Sequence, residues 1–124
     1  MKRLLLICVP LVLPGLGRSA AVDESPSAKG REIFSVCAAC HTSGQGVVNP
    51  GPELRGVVGR KAGTFPGFRY SRAMKNAKVV WSAETLDAYL ANPQGLMPGN
   101  AMPYPGLPES KDRQELIAYL QTLK

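Results

Sequence analysis

Apolar positions fall into helical register in a few short segments, and the chain between them has no period at all. Ile33 and Phe34 give one face to a helix over about Ala28–Val36, with Ser27 placed to cap it and Gly30 one turn before Phe34. Leu86, Tyr89 and Leu90 make an i, i+3, i+4 stripe. Ser82 precedes it as an N-cap, Glu84 sits in its first turn, and Asn92-Pro93 ends it. Leu116, Ile117, Leu120 and Leu123 line a last helix from about Ser110 to Leu123. Ser71 caps a short helix reaching about Ala77. No repeat is visible and no run alternates as a strand does. The pattern predicts an all-α chain of three main helices and one short one.

The connections are long for so small a chain. Thr42 to Tyr70 holds Pro50, Pro52 and Pro66 among glycines at 44, 46, 51, 56, 59, 63 and 67. Gln94 to Pro108 has prolines at 98, 103, 105 and 108, which suits a stiff extended loop and forbids regular helix. Irregular stretches of this length are unusual unless they wrap something. A loop-rich chain of this size also buries too little of its own surface to be comfortably stable. The sequence therefore calls for a filler that is not protein.

The first residues stand apart. Met1-Lys2-Arg3 is positive, Leu4 to Leu13 is almost wholly apolar, and Ser19-Ala20-Ala21 offers small residues for cleavage. This is the layout of an export signal, and cleavage after Ala21 leaves a single domain over residues 22–124 in the periplasm. The apolar run, interrupted by Pro10 and Pro14, is too short to span a bilayer, so no stable membrane insertion is expected; an uncleaved tether is the alternative. The whole chain carries 15 basic and 9 acidic residues, a net of +6. Residues 1–21 hold Lys2, Arg3 and Arg18 and no acid, so the remainder is only +3. No cationic run remains to suggest a nucleic-acid partner.

Cys8 lies in the export signal, which leaves Cys37 and Cys40, with His41, the only histidine, directly after them. Cys37-Ala38-Ala39-Cys40-His41 is the C-x-x-C-H pattern of c-type haem attachment. Two thiols three residues apart on a turn reach two vinyl groups on one side of a porphyrin, and the adjacent imidazole meets the iron. A thioredoxin-like pair would need a βαβ context, which is absent. A zinc site would need four ligands. For the other face of the iron the soft donors are Met74, Met97 and Met102. Any of them could be core filler. Met74 falls on a short helix and fits that role. Met102, between prolines in Pro98-Gly99-Asn100-Ala101-Met102-Pro103-Tyr104-Pro105-Gly106, is the favoured ligand, with Met97 the alternative.

These features together resemble the class I cytochrome c family, over about Lys29 to Leu120. The resemblance rests on Gly30 and Phe34 set against Leu116-Ile117-Ala118-Tyr119-Leu120, and on Gly51-Pro52-Glu53-Leu54 with Gly56-Val57-Val58-Gly59-Arg60-Lys61-Ala62-Gly63. Pro66-Gly67-Phe68-Arg69-Tyr70-Ser71, Trp81, Tyr89-Leu90-Ala91-Asn92-Pro93 and Pro98-Gly99-Asn100-Ala101-Met102 complete it. It implies the cytochrome c fold, with long loops wrapped around one haem held through Cys37 and Cys40 and ligated by His41 and Met102. It further implies that the Pro52 carbonyl accepts the second N–H of His41. Arg60, Tyr70 and Trp81 would bond the inner propionate, and Tyr89 would lie near the Met102 sulfur. Trp81 and Tyr89 read equally well as core aromatics.

Several positions depart from the family. Gln94, Gly95 and Ala101 stand where mitochondrial members carry lysines, so the positive ring that steers partners is weaker. Tyr104 replaces a phenylalanine at the haem edge, Met74 replaces a buried asparagine, and Pro103 directly after the ligand is unusual. The implied function is electron carriage by a monomer, not enzymatic turnover. A membrane cytochrome complex or a dehydrogenase would be the donor, and an oxidase or reaction centre the acceptor. A haem peroxidase would need an open iron and a distal acid–base group, and the only histidine is already committed. A gas or redox sensor would need a displaceable sixth ligand.

Overall fold

The computed structural model describes residues 26–41 and 50–124. Residues 1–21, where an export signal is expected, residues 22–25 and the first part of the Thr42–Tyr70 loop lie outside the described residues. Five helices follow in order: α1 (Pro26–Cys37), α2 (Arg72–Asn76), α3 (Ala83–Ala91), α4 (Pro93–Leu96) and α5 (Ser110–Thr122). Among the described residues, strand pairing is limited to an isolated antiparallel bridge between Lys61 and Val80. The all-α expectation holds.

The frame is the crossing of α1 and α5. Gly30 is buried there, and the ring of Phe34 lies 5.2 Å from that of Tyr119. A helix crosses another most closely where it carries no side chain. α3 packs beside α5, and the Arg113 guanidinium donates from Nε to Asp87 Oδ1 at 2.7 Å across that contact. Buried Val57, Ala62, Trp81, Leu86, Tyr89, Leu90, Met97, Leu116, Ile117 and Leu120 form the core, with Ile33, Phe34, Leu54, Met74 and Met102 half-buried around it. Met74 thus packs at the edge of the core, as a thioether filler does.

Two details of the helices differ from the sequence pattern. α1 begins at Pro26, so Ser27 is a helical residue and not the cap; proline suits a first turn because its missing N–H would have had no partner there. The stretch from Gln94 to Pro108 is not extended throughout, because α4 occupies its start. Pro93 is the first residue of α4, and the Asn92 side chain accepts the Gly95 N–H at 3.0 Å. Ser82 and Thr85 cap α3 reciprocally, and Ser71 Oγ accepts the Met74 N–H at 3.1 Å to start α2. The loop over 56–62 is tied down by main-chain bonds from Gly59 N–H to Trp81 O (2.6 Å), Trp81 N–H to Arg60 O (2.9 Å) and Ala62 N–H to Val79 O (2.8 Å).

Candidate functional site

α1 ends on Cys37, and the chain turns there. The Cys37 carbonyl accepts the N–H groups of Cys40 at 3.0 Å and His41 at 2.9 Å. One further turn therefore carries Cys40 and His41 round beneath the helix end. Both cysteines are half-buried, and neither is spent on a disulfide. Gly51 N–H donates to Cys40 O at 2.9 Å, which brings the next loop against the histidine.

His41 is fixed by that loop. Its Nδ1 lies 2.7 Å from Pro52 O. A carbonyl only accepts, so Nδ1 carries the hydrogen and Nε2 is left with a lone pair, the form that binds a metal. The imidazole lies flat against Gly51: a Cβ there would meet Cε1 at 2.6 Å and Nδ1 at 2.7 Å. Two thiols, an oriented imidazole and a soft-sulfur loop fit a haem c. Among the described residues, no group of three or more His, Cys, Asp and Glu side chains gathers as it would for a bare metal ion.

Arg60 is half-buried, and its guanidinium donates to Glu53 O at 2.8 Å and Arg55 O at 3.1 Å while lying 5.0 Å over the Phe65 ring. Burial lowers its pKa from the ordinary arginine value. The Tyr70 hydroxyl accepts the Phe65 N–H at 3.2 Å; burial raises its pKa, and Arg60 nearby opposes that rise. Arg60 and Tyr70 thus sit together, both engaged with the 53–65 loop. Trp81 is buried and tilts against Tyr89 with ring centroids 4.9 Å apart. Tyr104 lies near Cys37, and burial raises its phenol pKa.

The two candidate methionines differ in setting. Met97 is 5 % exposed, inside the core, and its N–H closes α4 on Pro93 O at 3.0 Å. Met102 is half-buried at the edge of the core. Between them stands Asn100, a polar residue buried in the core. Its Nδ2 donates to Pro93 O and Met97 O, each at 3.0 Å, and its Oδ1 accepts Met102 N–H at 3.0 Å and the Tyr89 hydroxyl at 3.3 Å. Tyr89 thus reaches the Met102 segment through Asn100. The sequence did not single out Asn100: an asparagine after Pro98-Gly99 reads as an ordinary turn residue. Gln94, which in the sequence marks only a missing lysine, donates to Asn100 O at 3.0 Å and accepts Gly99 N–H at 3.2 Å.

Comparison with known proteins agrees with this architecture. Residues 27–124 match the family model "Cytochrome c". The chain is similar to cytochrome c-550 of Ancylobacter novellus, at 52 % identity over 77 % of this chain and 92 % of that protein. It is similar to cytochrome c of Euglena viridis, at 46 % identity over 77 % of this chain and 95 % of that protein. Among solved structures it resembles cytochrome cH from Methylobacterium extorquens, with a TM-score of 0.72 and 38 % identity over 77 % of this chain and 97 % of that one. A helical frame with a C-x-x-C-H turn at the end of its first helix, matched along nearly all of the described residues, means that this chain belongs to the cytochrome c family and carries covalent haem c through Cys37 and Cys40.

Proposed function

We propose that the chain is an exported, periplasmic one-electron carrier whose iron is held between His41 and Met102, and that it works as a monomer. The observation that carries this reading is the turn after α1, where His41 is fixed through Nδ1 to Pro52 and keeps Nε2 for the metal. When bound, haem c supplies an iron centre that changes charge by one electron, at a potential that Met/His ligation raises.

The protein's part is orientation and exclusion of water. The Pro52 carbonyl holds the imidazole in one tautomer and raises its basicity. The loop from Pro98 to Pro108 presents the Met102 sulfur. Met97 is spent on the core, which favours Met102 as the ligand. Arg60, Tyr70 and Trp81 supply hydrogen-bond donors for the inner propionate, which would be costly to bury without them. Tyr104, beside Cys37, lies at the edge through which the electron leaves. The donor is a membrane cytochrome complex or a dehydrogenase, and the acceptor an oxidase or reaction centre.

With both His41 and Met102 holding the iron, no position would be left open for a substrate, which supports electron carriage and not turnover as the activity. Substitution of each methionine by alanine tests the reading. Met102→Ala is expected to abolish the ferric sulfur-to-iron absorption band, lower the reduction potential and open the iron to carbon monoxide. Met97→Ala is expected to keep the band and lose only stability. The reverse pattern would assign the ligand to Met97. Rapid, tight binding of carbon monoxide by the unaltered reduced protein would point instead to a sensor or a peroxidase.

A further inference from the structure

We propose that Asn100 is the positioning residue of the sixth ligand, a latch that sets how often the Met102 sulfur leaves the iron; this rests on the assignment of Met102 above. Asn100 is 6 % exposed, and its amide makes four hydrogen bonds that join three parts of the molecule. Nδ2 donates to Pro93 O and Met97 O, the first and the capping residue of α4, at 3.0 Å each. Oδ1 accepts Met102 N–H at 3.0 Å and the Tyr89 hydroxyl, from α3, at 3.3 Å. Both amide hydrogens and both lone pairs are used, so the side chain has a single satisfied orientation.

The placement decides the consequence. The chain between Met97 and Met102 has little else to hold it. Asn100 N–H bonds Met97 O at 3.1 Å, and Gln94 binds Gly99 N–H and Asn100 O from outside. Ala101 and Pro103, the residues on either side of Met102, are exposed. The side-chain bond nearest to the sulfur is therefore the one from Met102 N–H to Asn100. A replacement that cannot span α4, Tyr89 and Met102 leaves buried carbonyls, a hydroxyl and an N–H without partners. It thereby removes the penalty that keeps the segment closed. An external ligand competes only with the open form, so its apparent affinity scales with the open fraction.

The test is imidazole binding to the ferric holoprotein, read alongside the sulfur-to-iron band, for the native protein and the variants Asn100→Ala, Asn100→Ser, Leu120→Ala and Met102→Ala. Asn100→Ala is expected to keep the band in the absence of imidazole and to bind imidazole at least about tenfold more tightly, equivalent to about 1.4 kcal/mol. Asn100→Ser, whose short hydroxyl spans only part of the network, should fall between it and the native protein; it is read in place of Asn100→Ala if that variant does not mature. Leu120→Ala destabilises the core away from this loop and should leave imidazole affinity within about twofold, because general loss of stability is not loop opening. If both Asn100 variants bind imidazole like the native protein, or if Leu120→Ala tightens binding as much as they do, the latch is refuted while the ligand assignment stands. If Met102→Ala keeps the band, the ligand assignment fails and the latch falls with it.

Discussion

Gly51 and His41 are packed so closely that a methyl group could not stand between them: a Cβ on Gly51 would lie 2.6 Å from Cε1 of the imidazole. The neighbour here is a ring already tied to Pro52 O at 2.7 Å, so it cannot yield without losing that bond. Gly51→Ala is therefore expected to tilt His41 and break the hydrogen bond that orients it. Loss of such an outer-shell partner typically costs about 10–100-fold in metal affinity or activity. The measurement is the yield of covalently loaded protein and the reduction potential of what matures. Native yield together with native potential would show that the ring has room the geometry denies.

Gly30 makes the same argument for the fold. A Cβ there would lie 2.6 Å from Cβ of Tyr119 and would also strike the main-chain carbonyl of Glu115. Both belong to α5, and backbone cannot move aside as the end of a side chain can. Gly30→Ala should separate α1 from α5 and cost about 3 kcal/mol, at the upper end of ordinary overpacking, despite the better helix propensity of alanine. Chemical denaturation of the holoprotein reads this as a lower midpoint. A midpoint equal to or above that of the native protein would mean that the crossing is looser than described.

The sequence made these two contacts visible in different ways. Gly30, Phe34 and Tyr119 stand on short periodic helices, and the family resemblance placed them together; the rings of Phe34 and Tyr119 do meet, at 5.2 Å. The bond from His41 to Pro52 was likewise expected and is present. α4 leaves no mark in the sequence pattern, because a four-residue helix has no period to read and a proline at its start looks like a breaker. Asn100 is hidden in the sequence for a related reason. Polar residues in proline-rich loops default to turns, and what makes this one different is burial against residues 11 positions away and at the ends of α4, which the linear pattern does not carry.

Arg113 anchors the far end of the Met102 loop. Its Nη1 donates to Leu107 O at 2.8 Å and Pro108 O at 2.7 Å while Nε holds Asp87 at 2.7 Å. The guanidinium side chain is 11 % exposed and the Asp87 side chain 42 %, so the ion pair itself is partly screened and the two loop carbonyls matter more. Arg113→Met keeps much of the stem's packing and removes all three bonds. It is expected to cost about 2 kcal/mol, whereas Asp87→Asn should cost less than about 1 kcal/mol. Thermal unfolding of the two variants side by side decides it; equal losses would mean that the ion pair, not the carbonyls, is what Arg113 supplies.

Burial pushes the Tyr89 phenol up to about 12 from an ordinary 10.0. The charged form is disfavoured in the folded protein, so the sign follows directly. Below pH 10 both folded and unfolded chains keep this proton and stability does not depend on it. Between pH 10 and about 12 the unfolded chain releases the proton first, and stability falls as pH rises. Above the folded value both states are ionised and the fall stops. Its full size is about 2–3 kcal/mol, from two units at 1.36 kcal/mol each. Tyr89→Phe removes this titration along with the bond to Asn100. The variant should be less stable than the native protein by a fixed amount near pH 8, and the gap should shrink or reverse by pH 11. Tyr70 and Tyr104, which also titrate above the ordinary value, are common to both proteins and cancel in the difference. Denaturation curves that stay parallel from pH 8 to pH 11 would show that the Tyr89 hydroxyl ionises as freely in the folded protein as in the unfolded chain.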